Sequence, residues 1–121
     1  NTISGDSNYL TGITFSPDGQ YIASSGVTFT RLWFANDGRL MNTFDSQAKT
    51  GGAVAFSPDG KILAAGAADG AIHLWSVDDL SLLTSLSGHT SDINSITIST
   101  QGNMLATGSA DGTMRVWNVS Q

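Results

Sequence analysis

The chain has 121 residues, a formal net charge of −5 and 40% apolar residues, which is enough apolar material for one folded domain and too much for a disordered segment. Its five basic residues are scattered, which argues against a nucleic-acid partner, and no apolar run reaches the roughly 18–20 residues that span a bilayer. The absence of cysteine excludes disulfides and thiolate metal sites and favours the cytoplasm without excluding export.

Three tryptophans, Trp33, Trp75 and Trp117, recur at 42-residue intervals, and each closes a similar stretch of sequence. A repeat of about 40–45 residues with a tryptophan near its end is typical of β-propeller blades. Such a unit cannot bury its apolar faces alone, so the fold depends on stacked copies. We predict a single all-β segment over residues 1–121, with repeats over approximately 4–45, 46–86 and 87–121.

Each unit opens with alternating apolar residues, which predict a strand with one face in a core: Ile13 and Phe15, Val54 and Phe56, Ile96 and Ile98. A turn follows, written SPDG at 16–19 and 57–60, in which proline presets φ and glycine takes the left-handed conformation. The third unit reads STQG at 99–102 and keeps only the glycine.

Second strands are predicted over 21–24, 62–65 and 104–107. They are rich in alanine and glycine, which indicates that neighbouring sheets approach closely. Asp69-Gly70 and Asp111-Gly112 predict a second hairpin turn. Third strands end at the tryptophans, and fourth strands are predicted over 39–44 and 81–86. Each unit therefore predicts four short antiparallel strands.

Gly88-His89, the run from Leu105 to Gly112, and Val116-Trp117 resemble the WD repeat. The first two units match through SPDG and the closing tryptophan, although the residue after each tryptophan is Phe34, Ser76 or Asn118 instead of aspartate. The resemblance implies a propeller of four-stranded blades. In this family a blade joins three strands of one repeat to the fourth strand that follows, so we expect the third blade to lack its own outer strand.

The resemblance also implies a structural tetrad of hydrogen-bonded side chains, complete only in the third unit. Indole, hydroxyl, imidazole and carboxylate groups supply matched donors and acceptors for such a chain. We therefore expect the third blade to be the most rigid and the hairpin at 26–29 the loosest. The third unit supplies His89, Thr107, Asp111 and Trp117, whereas the second keeps Asp69 and Trp75 and the first keeps Ser24 and Trp33.

His89, Asp111 and Thr107 superficially resemble a base, an orienting acid and a nucleophile. The tetrad explains all three, and an acyl-transfer site would also need an oxyanion hole and a cleft. Two histidines without cysteine argue against zinc, the Asp-Gly pairs lack the spacing of a calcium loop, and no phosphate loop is present. We expect no enzymatic activity, cofactor or metal.

The resemblance implies that protein partners dock at the loops after the Gly-His position and before the tetrad aspartate. For one residue of this surface, Tyr9, a second interpretation is that its side chain only covers the edge of the first blade and does not contact a partner. We predict a non-catalytic scaffold for protein interaction. The residues transferred to this surface are Tyr9, Leu10, Thr50, Asp92, Ala68 and Ala110.

Three blades are too few for a closed ring, which needs roughly four to eight. Two explanations stay open: an arc that closes with copies of itself, two of them giving six blades, or an excerpt of a longer propeller. A regulatory or sensor propeller segment of a larger enzyme-containing protein is a further alternative. The sequence does not identify the partner.

Overall fold

The computed structural model describes residues 10–26, 30–44, 50–67, 70–89 and 93–118, and all regular structure in these ranges is β-strand. No helix in these ranges is long and apolar enough to cross a membrane. The strands are β1 (Leu10–Phe15), β2 (Tyr21–Gly26), β3 (Thr30–Phe34), β4 (Leu40–Phe44), β5 (Thr50–Phe56), β6 (Ile62–Ala67), β7 (Ile72–Ser76), β8 (Leu82–Leu86), β9 (Ile93–Ile98), β10 (Met104–Ser109) and β11 (Met114–Asn118).

The strands form three antiparallel sheets in chain order: β1-β2-β3-β4, β5-β6-β7-β8 and β9-β10-β11. The all-β fold predicted from the sequence is thereby confirmed. Within the described residues the third sheet has three strands. The second strands run two residues further than predicted because their ladders continue, for example through the pairing of Ser25 with Thr30.

The first turn of each unit has the same geometry in all three sheets. Gly19, Gly60 and Gly102 have φ of 74°, 74° and 76°. Each glycine amide donates to the carbonyl of the serine three residues earlier over 2.8–2.9 Å. The third turn keeps this geometry without proline or aspartate, so the glycine is the residue that the turn requires.

The sheets stack face to face, and the same two kinds of face meet at both contacts. We call the face of each sheet that meets the following sheet its forward face, and the opposite one its backward face. Tyr21, Ala23 and Leu32 on the forward face of the first sheet pack against the second sheet. The forward face of the second sheet packs against the third. The backward face of the second sheet contributes Val54, Phe56, Leu63 and Trp75, and that of the third contributes Ile96, Ile98, Leu105 and Trp117.

One expectation about the core is wrong in the first sheet. Ile13 and Phe15 are 69% and 64% exposed, although their alternation predicted a covered face. They lie on the backward face of the first sheet, and no sheet among the described residues packs there. The equivalent Phe56 is buried because the first sheet covers it. Alternation predicts a strand with an apolar face, but the neighbouring sheet decides whether that face is buried.

Candidate functional site

The third sheet holds a polar network centred on His89, whose side chain is closed to solvent. Its Nε2 atom lies 2.7 Å from the Thr107 hydroxyl. Its Nδ1 atom lies 3.1 Å from Asp111 Oδ2 and 3.0 Å from the Thr113 hydroxyl. The Trp117 indole N–H donates to the Thr107 hydroxyl over 3.2 Å. The four residues expected to form the tetrad therefore lie in one connected set.

The direction of these hydrogen bonds follows from the chemistry of the groups. A carboxylate only accepts, so His89 Nδ1 carries the hydrogen and donates to Asp111. The other ring nitrogen then accepts from the Thr107 hydroxyl, which in turn accepts from Trp117. This tautomer is assigned from the partners. These hydrogen bonds therefore form one directed series, in which the Trp117 indole donates to Thr107, Thr107 to His89, and His89 to the Asp111 carboxylate.

Thr113 is a member of the network that sequence reasoning missed. Its hydroxyl and its backbone N–H both donate to Asp111 Oδ1, the amide over 2.9 Å. The turn sequence Asp-Gly-Thr was interpreted only as a hairpin signal. The available signal was the contrast with Ala71, which follows Asp69-Gly70 in the second unit. Thr113 holds the Asp111 carboxylate through Oδ1, and its hydroxyl also lies beside His89 Nδ1.

The local sequence explains how His89 reaches this position. A methyl group built on Gly88 would lie 2.9 Å from the Trp117 ring and 3.2 Å from the Arg115 guanidinium, so only glycine allows the chain to pass this close. On the other side, Asp111 occupies the turn between β10 and β11, closed by Gly112 with φ of 87°. The Gly-His and Asp-Gly pairs therefore bring the imidazole and the carboxylate together.

The other two sheets hold less of this network. In the first, the Trp33 indole N–H donates to the Ser24 hydroxyl over 2.9 Å, and both residues are buried. In the second, the Trp75 ring packs 4.8 Å from the ring of Phe44, and Ala65 stands where the third sheet has threonine. Asp69 lies outside the described residues.

Of the predicted partner-binding positions, the three that the structure describes, Leu10, Thr50 and Ala110, lie at one end of the sheets, which we call the upper rim. There the first strand of each sheet begins beside the end of the second, as the pairs Leu10–Gly26, Thr50–Ala67 and Ile93–Ser109 show. Ala110 follows β10 at this rim and is exposed. Tyr9, Ala68 and Asp92 lie outside the described residues, as does most of the hairpin expected to be loosest, at 27–29.

The opposite end, the lower rim, carries the serine-initiated turns. The Ser16 hydroxyl donates to Asp18 over 2.6 Å and, with the Gln20 amide, lowers the pKa of that carboxyl. In the second turn the hydroxyl of Ser57 and the amide of Lys61 lower the pKa of Asp59 in the same way. These carboxylates act as hydrogen-bond acceptors within their own turns, which gives them a structural role there.

Nothing in the described ranges gathers three or more histidine, cysteine, aspartate or glutamate side chains around a common metal position. The second histidine, His73, lies in the middle sheet, where its Nδ1 atom is 2.8 Å from the Ser85 hydroxyl. His73 bonds within the middle sheet, whereas His89 precedes β9 and bonds to residues of the third sheet, so the two do not form a shared site.

Comparison with known proteins also finds three repeats in this chain. The model of the WD domain, G-beta repeat, matches residues 1–41, 38–76 and 80–118. The chain belongs to the WD40 repeat family. No curated protein sequence matches it significantly.

Among solved structures, the WD40 repeats of RRP9 superpose with a TM-score of 0.89 at 23% identity, over 97% of this chain and 37% of that one. This similarity shows the fold, since the identity is low. The chain spans little more than a third of that protein chain. In all, 1110 solved chains match, so the propeller fold is too widespread to select one function.

Proposed function

We propose that this WD40 chain is a non-catalytic protein-interaction module that binds its partner at the upper rim. The supporting observation is that the His89 side chain is closed to solvent and has a partner at each ring nitrogen. A general base must reach a substrate proton, directly or through one water. The buried imidazole therefore has a structural role, and partner binding falls to the exposed surface of the chain.

The other would-be catalytic groups support the same conclusion. Thr107 is buried, and its hydroxyl donates to His89 and accepts from Trp117, so it does not face a substrate. An open cavity of about 520 Å³ is lined by Phe15, Tyr21 and Phe34 in the first sheet, whereas the His89 network lies in the third. A catalytic site would need a cleft and titratable side chains at the same place in the molecule.

The upper rim suits partner docking because strands of all three sheets end there, and binding residues are commonly placed at strand ends on a rigid framework. The ladder pairs at Leu10, Thr50 and Ile93 fix where each loop leaves its sheet. Ala110 is exposed beside the turn that Asp111 and Thr113 hold. A protein surface laid across this rim would contact all three repeats at once.

The test compares two rims of the same molecule. Affinity-tagged wild-type chain, Ala110→Arg and Gln101→Arg are used to capture binding proteins from the source cells under identical conditions. Ala110 and Gln101 are both exposed turn residues, at the upper and lower rims respectively, so each variant places an arginine and the same added charge on its rim. We expect Ala110→Arg to reduce capture of a stoichiometric partner at least tenfold, and Gln101→Arg to leave it unchanged.

Equal capture by both variants, or loss with Gln101→Arg alone, would contradict the upper-rim assignment. Thermal midpoints of the three proteins serve as the folding control. A retained partner with Gln101→Arg and a lost one with Ala110→Arg, at equal midpoints, would support docking at this rim.

A further inference from the structure

We propose that Asp37 is a site of spontaneous covalent modification, where aspartate converts to isoaspartate through a succinimide with less protection by the fold than at the other Asp-Gly pairs that the structure describes. This modification concerns a turn at the lower rim, so it goes beyond the proposed function at the upper rim. The contacts that decide it lie within single turns of the chain.

The reaction joins the side chain of an aspartate to the backbone nitrogen of the next residue. The nitrogen attacks the carboxyl carbon and loses its proton while the carboxyl group loses its hydroxyl, so one water leaves and a five-membered succinimide forms. Water then opens the ring at either carbonyl. One opening restores aspartate, and the other gives isoaspartate, in which the backbone runs through the side-chain methylene. A following glycine favours the attack because it has no Cβ atom to hinder the nitrogen.

Five Asp-Gly pairs occur in the chain, and four of them lie within the described residues. Their glycine nitrogens are held alike, since each N–H donates to a backbone carbonyl over 2.9–3.2 Å. The nitrogen therefore does not rank the pairs, and the ranking depends on how firmly each carboxylate is held. The four aspartates are Asp18, Asp37, Asp59 and Asp111.

Three of these carboxylates accept hydrogen bonds from a hydroxyl and an amide at the same oxygen. Asp18 accepts from a serine hydroxyl over 2.6 Å and from a backbone amide over 3.0 Å, and the Asp59 turn has the same two donors. Asp111 accepts from the hydroxyl and amide of Thr113 and also lies 3.1 Å from His89 Nδ1. These bonds oppose the rotation that would bring the carboxyl carbon onto the glycine nitrogen.

Ionisation protects two of the three further. The serine hydroxyls, together with the backbone amides, lower the pKa of Asp18 and of Asp59. A lowered pKa keeps the group as a carboxylate, which is a weaker electrophile than a neutral carboxyl group. The serine-initiated turns therefore slow the reaction through both geometry and charge.

Asp37 is held more weakly than these three. Within the described chain its carboxylate accepts one hydrogen bond, from the Arg39 amide over 2.9 Å, and none from a hydroxyl group. The Arg39 guanidinium nitrogen lies 3.9 Å away, and this group also stacks 4.6 Å from the centre of the Phe34 ring. The Asp37 side chain is 52% exposed. Its carboxyl group is therefore the one that turns most readily toward the following glycine nitrogen.

The middle sheet contains the same turn with a better-held carboxylate. Asp79 and Leu80 stand where the first sheet has an Asp-Gly pair, and the turns have matching backbone hydrogen bonds of 2.8 and 2.9 Å. The Ser81 hydroxyl donates to Asp79 over 2.6 Å, and the leucine side chain hinders the nitrogen. Ser81 stands at the turn position of Arg39, so a serine at position 39 would supply the hydroxyl that the first turn lacks.

Conversion at Asp37 would add one methylene group to the backbone of this turn. The turn is closed by hydrogen bonds from the Phe34 N–H to the Arg39 carbonyl over 2.8 Å and from the Gly38 N–H to the Phe34 carbonyl over 2.9 Å. The added atom disturbs both, so the outer strand of the first sheet would be held less tightly at the lower rim. We therefore expect the isoaspartate form to have a lower thermal midpoint.

The test ages the purified 121-residue chain at neutral pH, folded and, in parallel, unfolded in urea. Isoaspartate is quantified at each Asp-Gly pair by peptide mapping with fragmentation that separates the two isomers, and the tryptic peptide 32–39 carries Asp37. The ratio of the unfolded to the folded rate measures protection by the fold and cancels the effect of neighbouring sequence. We expect this ratio to be at least tenfold lower at Asp37 than at each of the other three described pairs.

Arg39→Ser and Arg39→Ala separate the effect of the hydroxyl from that of losing arginine. Both variants remove the guanidinium, whereas only serine supplies a hydroxyl like that of Ser81. We expect Asp37 to convert several-fold more slowly in folded Arg39→Ser than in folded Arg39→Ala, and at equal rates in the two unfolded variants. Thermal midpoints before ageing serve as the folding control, and if a variant loses its transition, the wild-type ratios decide alone.

Equal protection at all four described pairs, less protection at another pair than at Asp37, or equal folded rates for the two Arg39 variants would overturn the proposal. Least protection at Asp37, together with slower conversion in Arg39→Ser, would support it. Either result leaves the upper-rim proposal standing, because Ala110 lies at the opposite end of the sheets from this turn.

Discussion

Gly66 of the second sheet lies directly against Ile93 of the third. A methyl group built on Gly66 would fall 2.4 Å from Ile93 Cβ and 2.6 Å from its Cγ2. The Cβ atom cannot move away without shifting the backbone of β9. The glycine therefore sets how closely the two sheets approach, as the small residues of the second strands predicted.

Gly66→Ala should lower the free energy of unfolding by about 1–3 kcal/mol, because the added methyl group overpacks this contact. Chemical denaturation measures the change. Gly108→Ala is the matched control, since its methyl group would meet only the Ser95 hydroxyl, at 2.9 Å, and Ser95 is exposed and can rotate. Equal losses for the two variants would show that backbone approach at Gly66 does not control the packing.

Ser24→Ala should destabilise the first sheet by about 1–3 kcal/mol, since the buried Trp33 indole N–H would lose its acceptor. Ser85→Ala removes an exposed hydroxyl that bonds His73 and should change stability by no more than about 0.5 kcal/mol. Thermal unfolding followed by tryptophan fluorescence compares the two. If Ser24→Ala loses no more stability than Ser85→Ala, the hydrogen bond from the Trp33 indole does not stabilise the first sheet.

The lower-rim turns should make stability fall at acidic pH. The pKa values of Asp18 and Asp59 are lowered from 3.8 by hydrogen bonds to serine hydroxyls and backbone amides. The unfolded chain therefore binds these protons first as the pH falls, so their contribution is present above 3.8 and is lost below it. In the double variant Asp18→Asn and Asp59→Asn, the thermal midpoint should change less with pH below 3.8 than it does in the wild type. An unchanged profile would contradict this.

Local chemistry allowed much of the fold to be predicted. Alternation and turn glycines gave the strands and their order, because each hairpin depends on residues adjacent in sequence. The third-unit positions of His89, Thr107, Asp111 and Trp117 followed from the family resemblance, and the register of β10 and β11 brings Trp117 to Thr107.

Features that depend on the neighbouring sheet could not be predicted from the sequence. The exposure of Ile13 and Phe15 is decided by what covers their face. Thr113 escaped notice because its side chain bonds within a turn that its neighbours already explained. Leu80 has φ of 61° where the first sheet has Gly38 at 74°, and no sequence rule predicts leucine in a left-handed conformation. Its packing against the core between the first two sheets accompanies this strain.

The stability of Asp111→Ala tests most directly whether the His89 network is structural. Removal of the carboxylate leaves the amide and hydroxyl of Thr113 without their acceptor and takes the charged partner from the buried imidazole N–H, which should cost about 1–3 kcal/mol. Asp37→Ala is the control, an exposed turn acid whose Arg39 partner lies 3.9 Å away, with an expected change under about 1 kcal/mol. A thermal midpoint lowered by Asp111→Ala well beyond the control supports a structural role. An unchanged or raised midpoint would contradict it, as expected of a residue kept for function at the expense of stability.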